Sequence, residues 1–175
     1  MTHCRPAGAA DAAFLTQMLA LAADWRADAT PRSAAAILDD PQLARYVADW
    51  PRHGDLGVIA IDDTGQPVGA AWARRFSETA PGYGFVSPTV PEVSLAVRPH
   101  ARGAGVGEQL LGGLMDAARR RGVTQLSLSV ERANPARTLY ARRGFTEVGG
   151  TAGAVTMVVD LDPKGSSACG GPDWT

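Results

Sequence analysis

The feature that most constrains this chain is a change of period across a glycine-rich joint. Residues 93–97 are β-prone, whereas from Val106 onward the apolar residues recur at helical spacing. Val106, Leu110, Leu114 and Ala118 form one stripe, with Leu111 and Met115 beside it. Residues 125–130 then read as a second strand. A strand, a helix and a strand in that order join through a right-handed crossover, which sets the two strands parallel and side by side. Glu108 in the first turn of the helix, Arg119, Arg120 and Arg121 in its last and Gly122 after them match the sign of the helix dipole and a left-handed stop.

Upstream, Phe14, Met18, Leu21 and Trp25 predict an amphipathic helix over residues 11–25 with Asp11 at its start. Thr30-Pro31 breaks it, and Ser33 caps a short turn through Leu38. Asp40-Pro41 restarts a helix carrying Leu43, Tyr46, Val47 and Trp50, which Pro51 ends. Residues 56–61 and 68–73 flank the turn chemistry of residues 62–66 and read as a hairpin. Pro81, Gly82, Gly84, Pro88 and Pro91 make residues 76–91 an irregular loop with an extended piece at 83–86. Beyond the crossover, Asn134-Pro135 caps a short helix that stops at Gly144. Strands follow at 146–148 and 155–161 around a glycine-rich turn. The expectation is an α+β fold with a mixed sheet, one domain over residues 1–162 and a loose tail over 163–175.

Bulk properties exclude several classes. With 45% hydrophobic and 20% charged residues in 175, the composition is that of a packed domain and not a disordered chain. A formal net charge of −1 argues against DNA or RNA as partners, because their binding needs clustered Lys and Arg. No apolar run is long enough for a membrane span, and no basic stretch with an apolar run opens the sequence. Cys4 and Cys169, two thiols at opposite ends of the sequence, make neither a disulfide framework nor a metal cluster, which fits a reducing, cytoplasmic setting. No His, Cys, Asp and Glu spacing suggests a metal.

The joint itself reads Arg102-Gly103-Ala104-Gly105-Val106-Gly107. Its glycines remove side chains where backbone N–H groups meet the positive end of a helix dipole, and Arg102 adds a fixed cation. Such a turn suits a pyrophosphate. The Walker pattern is absent because no Gly-Lys-Ser/Thr follows, and the dinucleotide fingerprint fails because its last glycine would fall on Glu108. A glycine-rich turn without a ligand is the plain alternative.

Arg102, Gly105 and Gly107 in the arrangement Arg-x-x-Gly-x-Gly resemble the pyrophosphate signature of the GNAT superfamily of N-acetyltransferases. Leu95-Ala96-Val97-Arg98-Pro99 ahead of it, and Asn134, Ala136, Leu139-Tyr140 and Gly144-Phe145 after it, match further family motifs. The resemblance covers residues 92–148. It implies a mostly antiparallel sheet with a splayed parallel strand pair and helices on both faces. It also implies acetyl-coenzyme A as donor, bound by Leu95, Ala96, Val97, the turn from Arg102 to Gly107, Asn134, Arg137 and Tyr140. The acetyl group would pass directly to a primary amine of a small molecule or peptide. Tyr140 matches the tyrosine that protonates the departing thiolate. Glu92 matches a position used as general base in some members, against the plainer reading of an exposed carboxylate at a strand start. His53 is a second candidate base. Homodimers are common among relatives. A non-catalytic acyl-coenzyme A sensor and a scaffold that keeps only the fold are the alternatives.

Overall fold

The computed structural model describes residues 1–26 and 28–161; the expected tail at 163–175 and Cys169 lie outside the described residues. The strands are β1 (His3–Pro6), β2 (Leu56–Ile61), β3 (Pro67–Arg74), β4 (Glu92–Val97), β5 (Gln125–Glu131), β6 (Thr146–Gly150) and β7 (Ala154–Asp160). The helices are α1 (Ala12–Ala23), α2 (Ala34–Asp39), α3 (Pro41–Ala44), α4 (Val106–Arg120) and α5 (Ala136–Arg142). One sheet runs in the order β1-β2-β3-β4-β5-β7-β6, and every neighbouring pair is antiparallel except β4 and β5. The α+β expectation, with its parallel pair set by the α4 crossover, is met.

Alternation along the strands splits the core in two. Val58 and Ala60 face α4 with Leu110, Leu111 and Leu114, while Ile59 and Ile61 face α1 with Leu15 and Met18. Helices therefore cover both faces. At Gly113, where α4 rests on β2, an added Cβ would lie 3.5 Å from Val58, an ordinary van der Waals contact, so the packing does not require glycine there. Leu110, Leu111 and Leu114 are fully buried, as the predicted stripe requires.

Local differences have local causes. The Asp11 carboxylate takes Gly8 N–H and pairs with Arg5, so a 3₁₀ turn over Ala9–Asp11 precedes α1 instead of a simple cap. The helix expected through Trp25 ends at Ala23. Ser33 caps α2 by accepting from Ala36 N–H at 3.1 Å, as read from sequence. Asp40 caps α3 by accepting from Gln42 N–H, but that helix stops at Ala44 and the chain continues in turns to Trp50. There Arg74 holds the carbonyls of Arg45 and Ala48, which a continuing helix would have used. Strand β1 was not foreseen, since its four residues are all exposed at the sheet edge and carry no alternation. The extended piece at 83–86 is irregular, because its amides bond to Tyr46 and Glu92 side chains and not to a strand.

Candidate active site

Strands β4 and β5 share a single register pair, Glu92 opposite Ser127, where Ser127 N–H donates to Pro91 carbonyl at 3.0 Å. Past that point β4 has no strand partner on its β5 side among the described residues, and a cleft of about 920 Å³ opens between the strands. This is the splay that the family resemblance implies. Arg98 N–H reaches Val68 across β3, so alternation turns the backbone of Val93, Leu95 and Val97 toward the opening. The Val97 carbonyl accepts from Arg102 Nε at 3.0 Å on that open side. Leu95, Ala96 and Val97 all line the cleft.

The glycine turn closes one end. Gly103 and Gly105 both have φ of 78°, which only glycine adopts without strain, and an added Cβ at either would meet nothing within 4 Å. The N–H groups of residues 103–108 have no acceptor among the described residues. They crown the 15-residue α4 at its positive end. Arg102 spends only Nε on Val97, so its two terminal nitrogens remain uncommitted among the described residues. Gly107 has a packing role, because a Cβ there would press to 3.3 Å from Leu139 of α5. Arg102, Gly103, Gly105, Val106 and Gly107 line the cleft, whereas Ala104 does not. An open cradle of free amides beside an exposed guanidinium fits a pyrophosphate.

Glu92 stands at the other end of β4. The exposed carboxylate at a strand start is a reading the structure corrects: Glu92 is only 3% exposed, yet it lines the cleft. Its Oε1 accepts from the Tyr46 hydroxyl at 2.7 Å and from Gly84 N–H at 2.9 Å, while Oε2 has no partner among the described residues. Burial pushes this carboxyl up to about 6, and the two donors keep it from rising further. Gly82 makes room for the arrangement, since a Cβ there would fall 2.1 Å from Glu92 Oε2 and 2.7 Å from the Tyr46 hydroxyl.

Tyr140 projects from α5 into the same cleft, buried against Phe145 at 5.8 Å between ring centroids. Burial pushes its phenol up to about 12, so it stays protonated at neutral pH. Asn134 Oδ1 caps α5 by accepting from Ala136 N–H at 2.9 Å, and the residue lines the cleft. Arg137 lies elsewhere, donating to Arg132 carbonyl at 3.1 Å and facing Glu147 at 3.9 Å, outside the cleft lining. His53 is exposed and also away from the cleft.

From sequence, Tyr46 and Trp25 read either as aromatic surface facing the acceptor or as core, and periodicity favours the core. Tyr46 is buried but bridges to the site as well, because its hydroxyl also accepts from Tyr83 N–H at 2.7 Å. Trp25 is half-buried and lines the cleft together with Leu19, Leu21 and Tyr83. No period could reveal this, since a residue that lines a cleft beside the core falls on the core stripe. No helix among the described residues is long and apolar enough to cross a membrane.

Comparison with known proteins agrees with this geometry. The mycothiol acetyltransferase of Beutenbergia cavernae is 33% identical over 130 residues, 73% of this chain and 40% of that protein. The [ribosomal protein bS18]-alanine N-acetyltransferase of Haemophilus influenzae is 37% identical over 70 residues, 38% of this chain and 48% of that protein. The matches thus span less than half the length of these curated relatives. A GNAT superfamily phosphinothricin acetyltransferase from Sinorhizobium meliloti, solved in complex with AcCoA, shares the fold with a TM-score of 0.66 at 24% identity, covering 91% of this chain and 88% of that one. The acetyltransferase (GNAT) family model matches residues 19–145, so this chain belongs to the GNAT family of acetyltransferases.

Proposed function

We propose that this chain transfers an acetyl group from acetyl-coenzyme A directly to a primary amine of a small molecule or peptide. The observation that carries this reading is the placement of an uncommitted amide cradle and a buried carboxylate with one unpartnered oxygen at the two ends of one splayed cleft. When bound, acetyl-coenzyme A supplies an activated acyl carbon. Residues 103–108 and Arg102 hold its pyrophosphate, and the β5-facing backbone of Leu95 and the Val97 N–H pair with its pantetheine arm in place of the missing strand.

Each proton has a place to go. Glu92 Oε2 accepts the proton that the acceptor ammonium loses to become a free amine before the C–N bond forms, and the second nitrogen proton, lost as the tetrahedral intermediate collapses, balances the one that Tyr140 gives up. A backbone N–H of β4 in the splay donates to the carbonyl oxygen, where negative charge develops. The Tyr140 hydroxyl protonates the thiolate released as the C–S bond breaks. No enzyme nucleophile is required: the free Cys4 sits exposed on β1, outside the cleft. That uncombined thiol also fits a cytoplasmic setting.

Calorimetry with acetyl-coenzyme A tests the donor site. Binding is expected, weakened about tenfold or more by Arg102→Ala, as loss of a charge-assisted contact implies. A folded protein that does not bind the thioester rejects the reading. Binding without thiol release across a broad amine panel favours a sensor instead.

A further inference from the structure

We propose that the acceptor end of this cleft selects a primary amine carried on an apolar or aromatic body with no carboxylate beside the amine. The proposal rests on the acetyl-transfer reading above.

Tyr46 and Tyr83 stand beside Glu92, and Leu21, Ala22, Ala23 and Trp25 line the same cleft farther along, where Arg26 pairs with Glu131 at the end of β5. Tyr83 completes the wall, 58% exposed and stacked on Tyr46 with centroids 6.2 Å apart and planes 12° from parallel. An apolar body attached to the amine buries its surface against these residues.

Charge supplies the exclusion. A free amino acid brings a carboxylate within two bonds of the nitrogen, so it would enter beside Glu92. The cation lining this end, Arg32, is already spent: Nε and a terminal nitrogen grip Asp24 at 3.1 Å each, and the other terminal nitrogen faces Asp40 at 4.0 Å. Arg102 lies past the opposite end of the six-residue β4. At about 3.3 Å per residue that end is roughly 16 Å from Glu92. A second anion would therefore sit near a buried carboxylate without a cation to pair with, which is unfavourable wherever solvent is excluded.

The test is thiol release from acetyl-coenzyme A with four acceptors: 2-phenylethylamine, ethylamine, L-phenylalanine and L-phenylalanine methyl ester. The expected kcat/KM for phenylethylamine and the ester exceeds that for the free acid by about tenfold or more, equivalent to about 1.4 kcal/mol. Phenylethylamine should also exceed ethylamine, and Trp25→Ala should narrow that second ratio. A free amino acid used as well as its ester overturns the charge argument, and ethylamine used as well as phenylethylamine overturns the apolar wall. Binding of acetyl-coenzyme A with none of the four accepted overturns the proposal but leaves the donor site standing. Absence of acetyl-coenzyme A binding overturns both.

Discussion

The Tyr46 hydroxyl donates to Glu92 Oε1 at 2.7 Å while accepting from Tyr83 N–H at 2.7 Å, so one phenol joins the segment after α3, the loop before β4 and the carboxylate itself. Burial and the neighbouring carboxylate hold that phenol far above its ordinary range, and it therefore acts as a fixed donor and not as an acid. Its donation favours the charged form of Glu92. Tyr46→Phe should move the acid limb of the kcat/KM–pH profile upward from about 6. A purely structural role would lower the profile without displacing that limb.

Glu92→Gln should reduce kcat/KM by ~10²-fold or more and flatten the same limb, because the amide cannot take the amine's proton. Stability carries a second signature. The folded-state pKa of about 6 lies above the ordinary 4.5, so the native protein binds the proton more tightly than the unfolded chain. This contribution is fully present below about pH 4.5 and is lost as pH rises through about 6. Glu92→Gln should remove that part of the slope in urea unfolding measured across this window. An unchanged pH–rate profile would exclude Glu92 as the base.

Tyr140→Phe should lower kcat by ~10²-fold while leaving acetyl-coenzyme A affinity nearly intact, since the ring keeps its packing against Phe145. Stopped-flow thiol release separates chemistry from product release. Unaltered turnover with chemistry rate-limiting would remove the general-acid role.

The donor half was far more legible in sequence than the acceptor half. The turn at 102–107 announces itself because a phosphate cradle demands glycines at fixed offsets from a helix start, and Gly103 and Gly105 adopt the φ that requires them. The α4 stripe was equally plain, since burial of Leu110, Leu111 and Leu114 follows from helical period alone. Glu92 was read as a candidate, but its burial depends on Gly82, Gly84 and Tyr46, which lie 10, 8 and 46 residues away. Arg137 shows the reverse limit: one turn into α5 it reads from sequence as within reach of the coenzyme or as solvent-exposed, and Arg132 and Glu147 hold its guanidinium outside the cleft lining.

The least legible element is the pair that supports Tyr46 from behind. Arg74 and Asp55 are 1% and 3% exposed, joined at 2.6 Å and 3.1 Å as a two-point contact. The remaining Arg74 nitrogen donates to Arg45 and Ala48 carbonyls at 2.8 Å each, and the guanidinium lies 5.7 Å from the Trp50 ring centroid. Arg74 thus fixes the turns on which Tyr46 sits. Removing one partner leaves a buried charge unpaired, so Arg74→Met should destabilise by about 3–5 kcal/mol, and Asp55→Asn by a similar amount. The two losses should not add, because each alone breaks the same contact. In Arg74→Met that remains folded at low temperature, the freed carbonyls loosen the Tyr46 segment, and kcat should fall even though Arg74 lies outside the cleft lining. Urea midpoints and turnover measured on one preparation decide the matter: a stability loss with unchanged kcat would show that Glu92 is held without help from this pair.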